Sequence, residues 1–264
     1  MTNYSWKTGT SGAWSTGTNW NGGIPNSTKA DVTINAAGAY TVTLASGTDT
    51  VDSVTLANLA IFGGNGTDTI TLGDASQSVT TGTGTTTIDA TAAQAGALIV
   101  NNGAATLDLT TGGNATLNAN DSFLTVSLAS ATNLTLSSQS FITAIGSAGN
   151  DTITAMASQQ TLSGGAGTDT LIGYSGFGDT FLDTTSGLNG DTIQYFGGND
   201  LIDITNLARA GASLSYNGNS TAGTLSISET GLGVVDTITF TSGTNLSTAL
   251  FHMTNNGSGG TYLG

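Results

Sequence analysis

Gly146-Ser147-Ala148-Gly149-Asn150-Asp151-Thr152-Ile153-Thr154 and Gly164-Gly165-Ala166-Gly167-Thr168-Asp169-Thr170-Leu171-Ile172 carry one nine-residue phrase twice, the copies starting eighteen residues apart. A third copy runs from Gly63-Gly64-Asn65-Gly66-Thr67-Asp68 to Thr69-Ile70-Thr71. Glycine ahead of the aspartate lets the backbone turn through positive φ. The residues after it alternate, which sends one side chain inward and its neighbours outward. A glycine-rich turn and a short strand, repeated every nine residues, make half a coil of a β-solenoid. Eighteen residues make a full coil, so the 146–154 and 164–172 copies are expected to stack turn on turn.

Outward from this core the same grain continues. Short β-prone runs occur at 32–34, 40–44, 54–56, 69–72, 86–88, 98–100, 106–109, 124–128, 134–136 and 142–145, separated by Gly, Asn, Ser, Thr and Asp. Their spacing of about 8 to 12 residues fits an all-β chain with regular turns, and no long window carries a helical period. Of 264 residues 39 are Gly and one is Pro, and only 8% are charged, against about 25% in ordinary domains. Sixteen of the seventeen acids are Asp, a turn residue, and Glu229 is the exception. Three cations, Lys7, Lys29 and Arg209, leave a net charge of −14. Nothing could neutralise a run of phosphates, so a nucleic-acid partner is excluded. Cysteine is absent, which rules out disulfides and thiolate metal sites. No apolar run approaches about 18 residues, so membrane insertion is not expected.

The three phrases resemble the RTX family of calcium-binding nonapeptide repeats, G-G-x-G-x-D-x-U-x with U a large apolar residue. The first and third copies in chain order match fully, and the middle one has Ser147 in place of the second glycine. Gly190-Asp191-Thr192-Ile193 and Gly198-Asn199-Asp200-Leu201 resemble decayed turns, and residues 236–261 resemble the end of type-I-secreted RTX proteins. The resemblance implies Ca²⁺ held in an oxygen cage between stacked turns. Its ligands would be Asp151 and Asp169 first, then Asp68, with Asp191 and Asp200 further along and the turn glycines Gly149, Gly165 and Gly167. Calcium suits such a cage because it accepts six to eight oxygens in irregular geometry. The other reading of the same residues is an Asx-type turn with no metal. The resemblance also implies an uncleaved C-terminal export signal, consistent with the lack of an N-terminal one, and a place outside the cell on a Gram-negative bacterium.

Catalysis finds little support. His252, between Phe251 and Met253, is the single histidine and reads as structural. Polyuronate lyases and epimerases use β-helices, but their sites need Arg, Lys, His or Tyr at the sugar. Trp6, Trp14 and Trp20, with Tyr4, could cap the solenoid or form a sugar-stacking platform, and capping is the favoured reading. The Thr-x-Thr pairs at 41/43, 69/71 and 152/154 do not make the unbroken series an ice-binding face needs. The expectation is an all-β chain, a right-handed parallel β-solenoid with a divergent N-terminal segment over 1–62, RTX-like repeats over 63–173 and a C-terminal β region over 174–264. It is not expected to be an enzyme. It is expected to be a secreted, calcium-dependent structural protein stacking head to tail with copies of itself into a filament, matrix or surface layer. The alternatives are a polysaccharide-binding adhesin and, further off, a polyuronate-acting enzyme.

Overall fold

A strand of three to five residues has too little hydrogen bonding to stand alone, so it needs paired neighbours and one buried face. This chain supplies both by repetition. The computed structural model describes residues 2–34, 36, 42–43, 53–56, 60–62, 67–71, 78–80, 85–96, 98–101, 105–117, 124–175, 178–243, 246 and 250–264. It is nearly all β, with a parallel β-solenoid of about five turns. Among the described residues the α-helices are two single turns, Ala92–Ala95 and Thr185–Leu188, and none is long and apolar enough to cross a membrane. The chain divides into two compact units, the first made of 1–111 with 115–126, the second of 112–114 with 127–264.

In the first unit Thr2–Trp6, Ala30–Ile34 and Ser53–Leu56 run parallel, with Tyr4, Val32 and Val54 in one row. Gly12–Ala13, Val42–Thr43, Ala60–Phe62, Ser78–Thr80 and Ile99–Asn101 form a second parallel set. Thr67–Thr71, Thr85–Ala90 and Ala105–Leu109 form a third, with Ile70, Ile88 and Leu107 aligned. Parallel coiling thus begins within residues 1–62, ahead of the glycine-rich repeats. At the edge of the first set, Trp20–Asn21 folds back antiparallel on Thr2–Trp6. Trp20 is met edge-on by Trp6 and Trp14, with ring centroids 4.8 and 4.7 Å away. All three indoles are buried, and each donates its N–H to a backbone carbonyl, Trp6 to Thr10, Trp14 to Pro25 and Trp20 to Trp14. The tryptophans form core, and none offers a free face to a sugar.

In the second unit Thr132–Thr135, Thr152–Thr154, Thr170–Ile172, Thr192–Gln194 and Gly233–Thr241 run parallel. Their central residues Leu134, Ile153, Leu171, Ile193 and Phe240 make one fully buried row. Thr143–Ile145, Thr161–Ser163, Thr180–Asp183 and Leu201–Ile204 make the other parallel set, aligning Ala144, Leu162, Phe181 and Ile202. The eighteen-residue stacking read from the two central repeats is met, with Thr152 beside Thr170 and Ile153 beside Leu171. Both sets then change direction. Gly223–Glu229 and Ala212–Gly218 add to the first set antiparallel, and Thr261–Leu263 and Met253–Asn255 do so to the second. Phe196, Phe240 and Phe251 pack together here, with centroids 5.2–5.7 Å apart.

Candidate functional site

Asp-Thr-apolar recurs at Asp151-Thr152-Ile153, Asp169-Thr170-Leu171, Asp179-Thr180-Phe181, Asp191-Thr192-Ile193 and Asp236-Thr237-Ile238. The apolar residue of each triplet points into the core, and period-2 alternation sends the aspartate to the same side at the mouth of the turn. Each aspartate is therefore buried, and its carboxylate must find donors or cost several kcal/mol.

Two columns result. In the first, Asp151 Oδ1 accepts from the Thr132 N–H at 2.6 Å, Asp169 Oδ1 from the Asp151 N–H at 2.7 Å, and Asp191 Oδ1 from the Asp169 N–H at 2.7 Å. Each carboxylate thus ties its own coil to the one before. Asp151 Oδ2 also closes its own turn, accepting from the Ser147 N–H at 2.7 Å and the Ser147 hydroxyl at 2.9 Å. In the second column Asp179 Oδ1 accepts from the Gln160 N–H and Asp200 Oδ1 from the Asp179 N–H, both at 3.0 Å. Here too the second oxygens brace the turns, Asp179 Oδ2 taking the Tyr174 N–H and Asp200 Oδ2 the Gly197 N–H, each at 2.8 Å. Gln160 ends this column, its Nε2 donating to the carbonyls of Ser137 and Gln139 and its Oε1 accepting from the Met156 N–H.

The first column is left incomplete. Asp169 Oδ2, Asp191 Oδ2 and both oxygens of Asp236 are buried without a hydrogen-bond partner. The cause is traceable. Gly165, whose N–H matches that of Ser147, donates instead to Asp183 Oδ2 at 2.9 Å, alongside the Ser163 hydroxyl at 2.8 Å. Asp236 would continue the column, but its strand pairs Thr192 with Thr239, two residues past the register of the triplet. A two-residue offset keeps the side chain on the core face while moving it away from the turn donors. The Asp191 N–H goes to the Leu188 carbonyl instead.

These environments raise the acids. Burial pushes the Asp191 carboxyl up to about 7 against the Asp169 N–H bond, with Asp169, Asp183 and Asp236 adding repulsion. Burial, with Asp183 nearby, lifts Asp236 to about 7. Burial raises Asp169 to about 6, with Asp151 and Asp183 contributing. In the second column burial raises Asp200 to about 6 and also moves Asp179 upward.

Calcium was the expected occupant of the stacked turns, and it needs oxygen lone pairs free to face it. Asp151, Asp179 and Asp200 direct both oxygens at N–H or O–H donors. Asp169 and Asp191 each have one oxygen left. Among the described residues no three His, Cys, Asp or Glu side chains come together as a metal-binding group. Between the turns, Gly165 (φ 85°) and Gly167 (φ 138°) lie so close under the Ser147 and Gly149 carbonyls that a Cβ would collide with them. The Ser147 carbonyl is already taken by the Ala166 N–H. In this arrangement the donor set does not fit a calcium cage.

Of the residues expected at the site, Asp151, Asp169 and Asp191 share the first column, with Gly149, Gly165 and Gly167 in its turns, and Asp200 sits in the second. Asp68 lies on Thr67–Thr71, in register with Thr86, and its turn 63–66 is outside the described residues. Reasoning from the glycines missed Asp179, Asp183, Asp236 and Gln160. The Asp-Thr-apolar triplet finds Asp179 and Asp236, and Gln160-Thr161-Leu162 is the same triplet with an amide. His252 is exposed, its Nδ1 3.3 Å from the Leu250 carbonyl oxygen. In comparisons with known proteins, the chain matches no family model, no curated protein and no solved structure.

Proposed function

We propose that the chain is an extracellular structural protein, related in its repeats to RTX proteins of Gram-negative bacteria, that assembles with copies of itself. What carries this reading is the edge strand Ala212–Gly218, which pairs with Gly223–Glu229 on one side and, among the described residues, ends its sheet on the other. It is seven residues long, Ala-Ser-Leu-Ser-Tyr-Asn-Gly, without a charge or a proline in a chain of net charge −14. Lysine, proline, bulges and shortness are the usual guards of a sheet edge, and this one has none of them. Ser213, Ser215 and Asn217 lie on its exposed face and Leu214 and Tyr216 on the other. Association by strand addition along this edge is favoured over head-to-tail stacking, because antiparallel strands already cover the last parallel coil of the second unit.

Sedimentation velocity and electron microscopy of the full chain over a concentration series test the reading. Wild type is expected to grow with concentration, and Ser215→Lys, which sets a charge on the exposed face of the edge strand while leaving its ladder bonds to Gly223–Glu229 intact, to remain monomeric. A wild-type protein that stays monomeric at about 1 mM sinks the proposal. A monomer that binds acidic or neutral glycans on an array would establish the adhesin reading in its place.

A further inference from the structure

In the turns that resemble calcium-binding repeats Asp151 directs both carboxylate oxygens, and Asp169 and Asp191 one each, at hydrogen-bond donors of the fold. We infer that the aspartate columns of the second unit are a hydrogen-bonded clasp that holds its coils together without calcium.

The argument rests on which way the donors point. An N–H directs the positive end of its dipole at the lone pair a cation would need, and Thr132, Ser147, Asp151, Gln160, Tyr174, Asp179 and Gly197 all do so. Turning these carboxylates onto an ion would leave those N–H groups buried and unpaired, and would cut the links between successive coils. The one departure from the glycine pattern points the same way. Ser147 stands where the second glycine is expected, and its hydroxyl donates to Asp151 Oδ2 while accepting from the Gly149 N–H at 3.0 Å. A glycine there would leave the carboxylate one donor short, as a metal-binding turn requires. In the next turn the Gly165 N–H is likewise committed to a carboxylate, that of Asp183, rather than left open around an ion. The stacked turns pack so closely at Gly146 against Gly164, Gly165 against Ser147 and Gly167 against Gly149 that a Cβ at any of these glycines would collide with the neighbouring turn.

The test uses the full chain, stripped with chelator and then titrated with CaCl₂ to about 10 mM, a range that would fill even weak extracellular sites. Circular dichroism should show the same β spectrum and the same cooperative melting midpoint in chelator and in calcium, and calorimetry no saturable heat. A chain that is unfolded in chelator and folds on calcium addition overturns the inference, as does a midpoint that rises and saturates with calcium. Asp191→Asn separates the two chemistries by sign. The amide keeps Oδ1 for the Asp169 N–H and puts a neutral NH₂ where an unpartnered oxygen faces Asp183 and Asp236, so at pH 8 it should melt at or above the wild-type midpoint in both buffers. A variant that melts below wild type in calcium but not in chelator has lost a ligand, and the clasp reading fails.

Discussion

Asp151, Asp169 and Asp191 climb one side of the second unit, and Gln160, Asp179 and Asp200 climb the other. Both columns tie each coil to its predecessor with an Oδ1–backbone bond, and both sit at the mouth of turns. They differ in what the second oxygen finds. In the 160–200 column every one is braced by its own turn, and an amide ends the series. In the 151–191 column the bracing stops at Asp151, and the column runs into Asp236, two residues out of step. A buried carboxylate therefore serves this fold only where the turn around it supplies a second donor. Repetition of the side chain is not enough.

The largest break in that comparison is Asp151→Ala. It strips acceptors from the Thr132 N–H, the Ser147 N–H and the Ser147 hydroxyl, and at about 1–3 kcal/mol for each buried donor left unpaired it should cost roughly 3–5 kcal/mol in urea unfolding. Gln160→Glu breaks the well-satisfied column at its end with no change of shape. At pH 8 it sets a charged oxygen against the Ser137 and Gln139 carbonyls, and the expected loss is about 2–3 kcal/mol. Much of that loss should return at pH 5, because a protonated acid can again donate to one of the carbonyls.

The pH profile of the wild-type chain is the gentlest probe. Asp191 and Asp236 rise from 3.8 to about 7, and Asp169 and Asp200 to about 6. Between about pH 4 and 7 the folded state thus holds more protons than the unfolded one, so stability from these groups is full below pH 4 and falls as pH rises through 6 to 7. The melting midpoint should climb from pH 8 to pH 5, opposite to ordinary acid denaturation, and level off above pH 7. Asp236→Asn should flatten the upper part of that climb. A midpoint that falls on acidification over this range would mean that these carboxylates are charged and satisfied in the folded chain.

The solenoid itself is legible from two repeats, because an eighteen-residue spacing and an inward apolar residue dictate which strands stack. The columns were only half legible. Glycine marks a turn that must pass through positive φ, as at Gly165 and Gly167, but ahead of Asp179 the sequence has Tyr174 and Ser175 where the pattern has its glycine pair, and the donor to the carboxylate is the Tyr174 N–H, so Asp179 does not match the nine-residue pattern. Asp183 works from the end of a strand, outside any turn motif. Asp236 carries the full triplet and fails in its role, because the register of Gly233–Thr241 is set by its antiparallel hairpin partners. Pairings of that kind leave no period in the sequence.

The reversal of strand direction at the end of the second unit also sets an order of events. Successive coils are linked by contacts 18 to 22 residues apart, such as Asp151 to Asp169 and Asp169 to Asp191. The closing strands reach back much further, Thr237 to Asn189 over 48 residues and Thr261 to Leu207 over 54. The longer closure adds only about 1 kcal/mol of chain entropy, so the end is nearly as easy to close as a coil once its residues exist. Timing is what changes. On the ribosome each coil can zip onto the one before as it emerges, yet Thr192–Gln194 and Leu201–Ile204 must wait for Gly233–Thr241 and Thr261–Leu263, made about 40 to 60 residues later, before their open edges are covered. For that interval the growing chain is a half-finished sheet, exposed to any other nascent copy beside it.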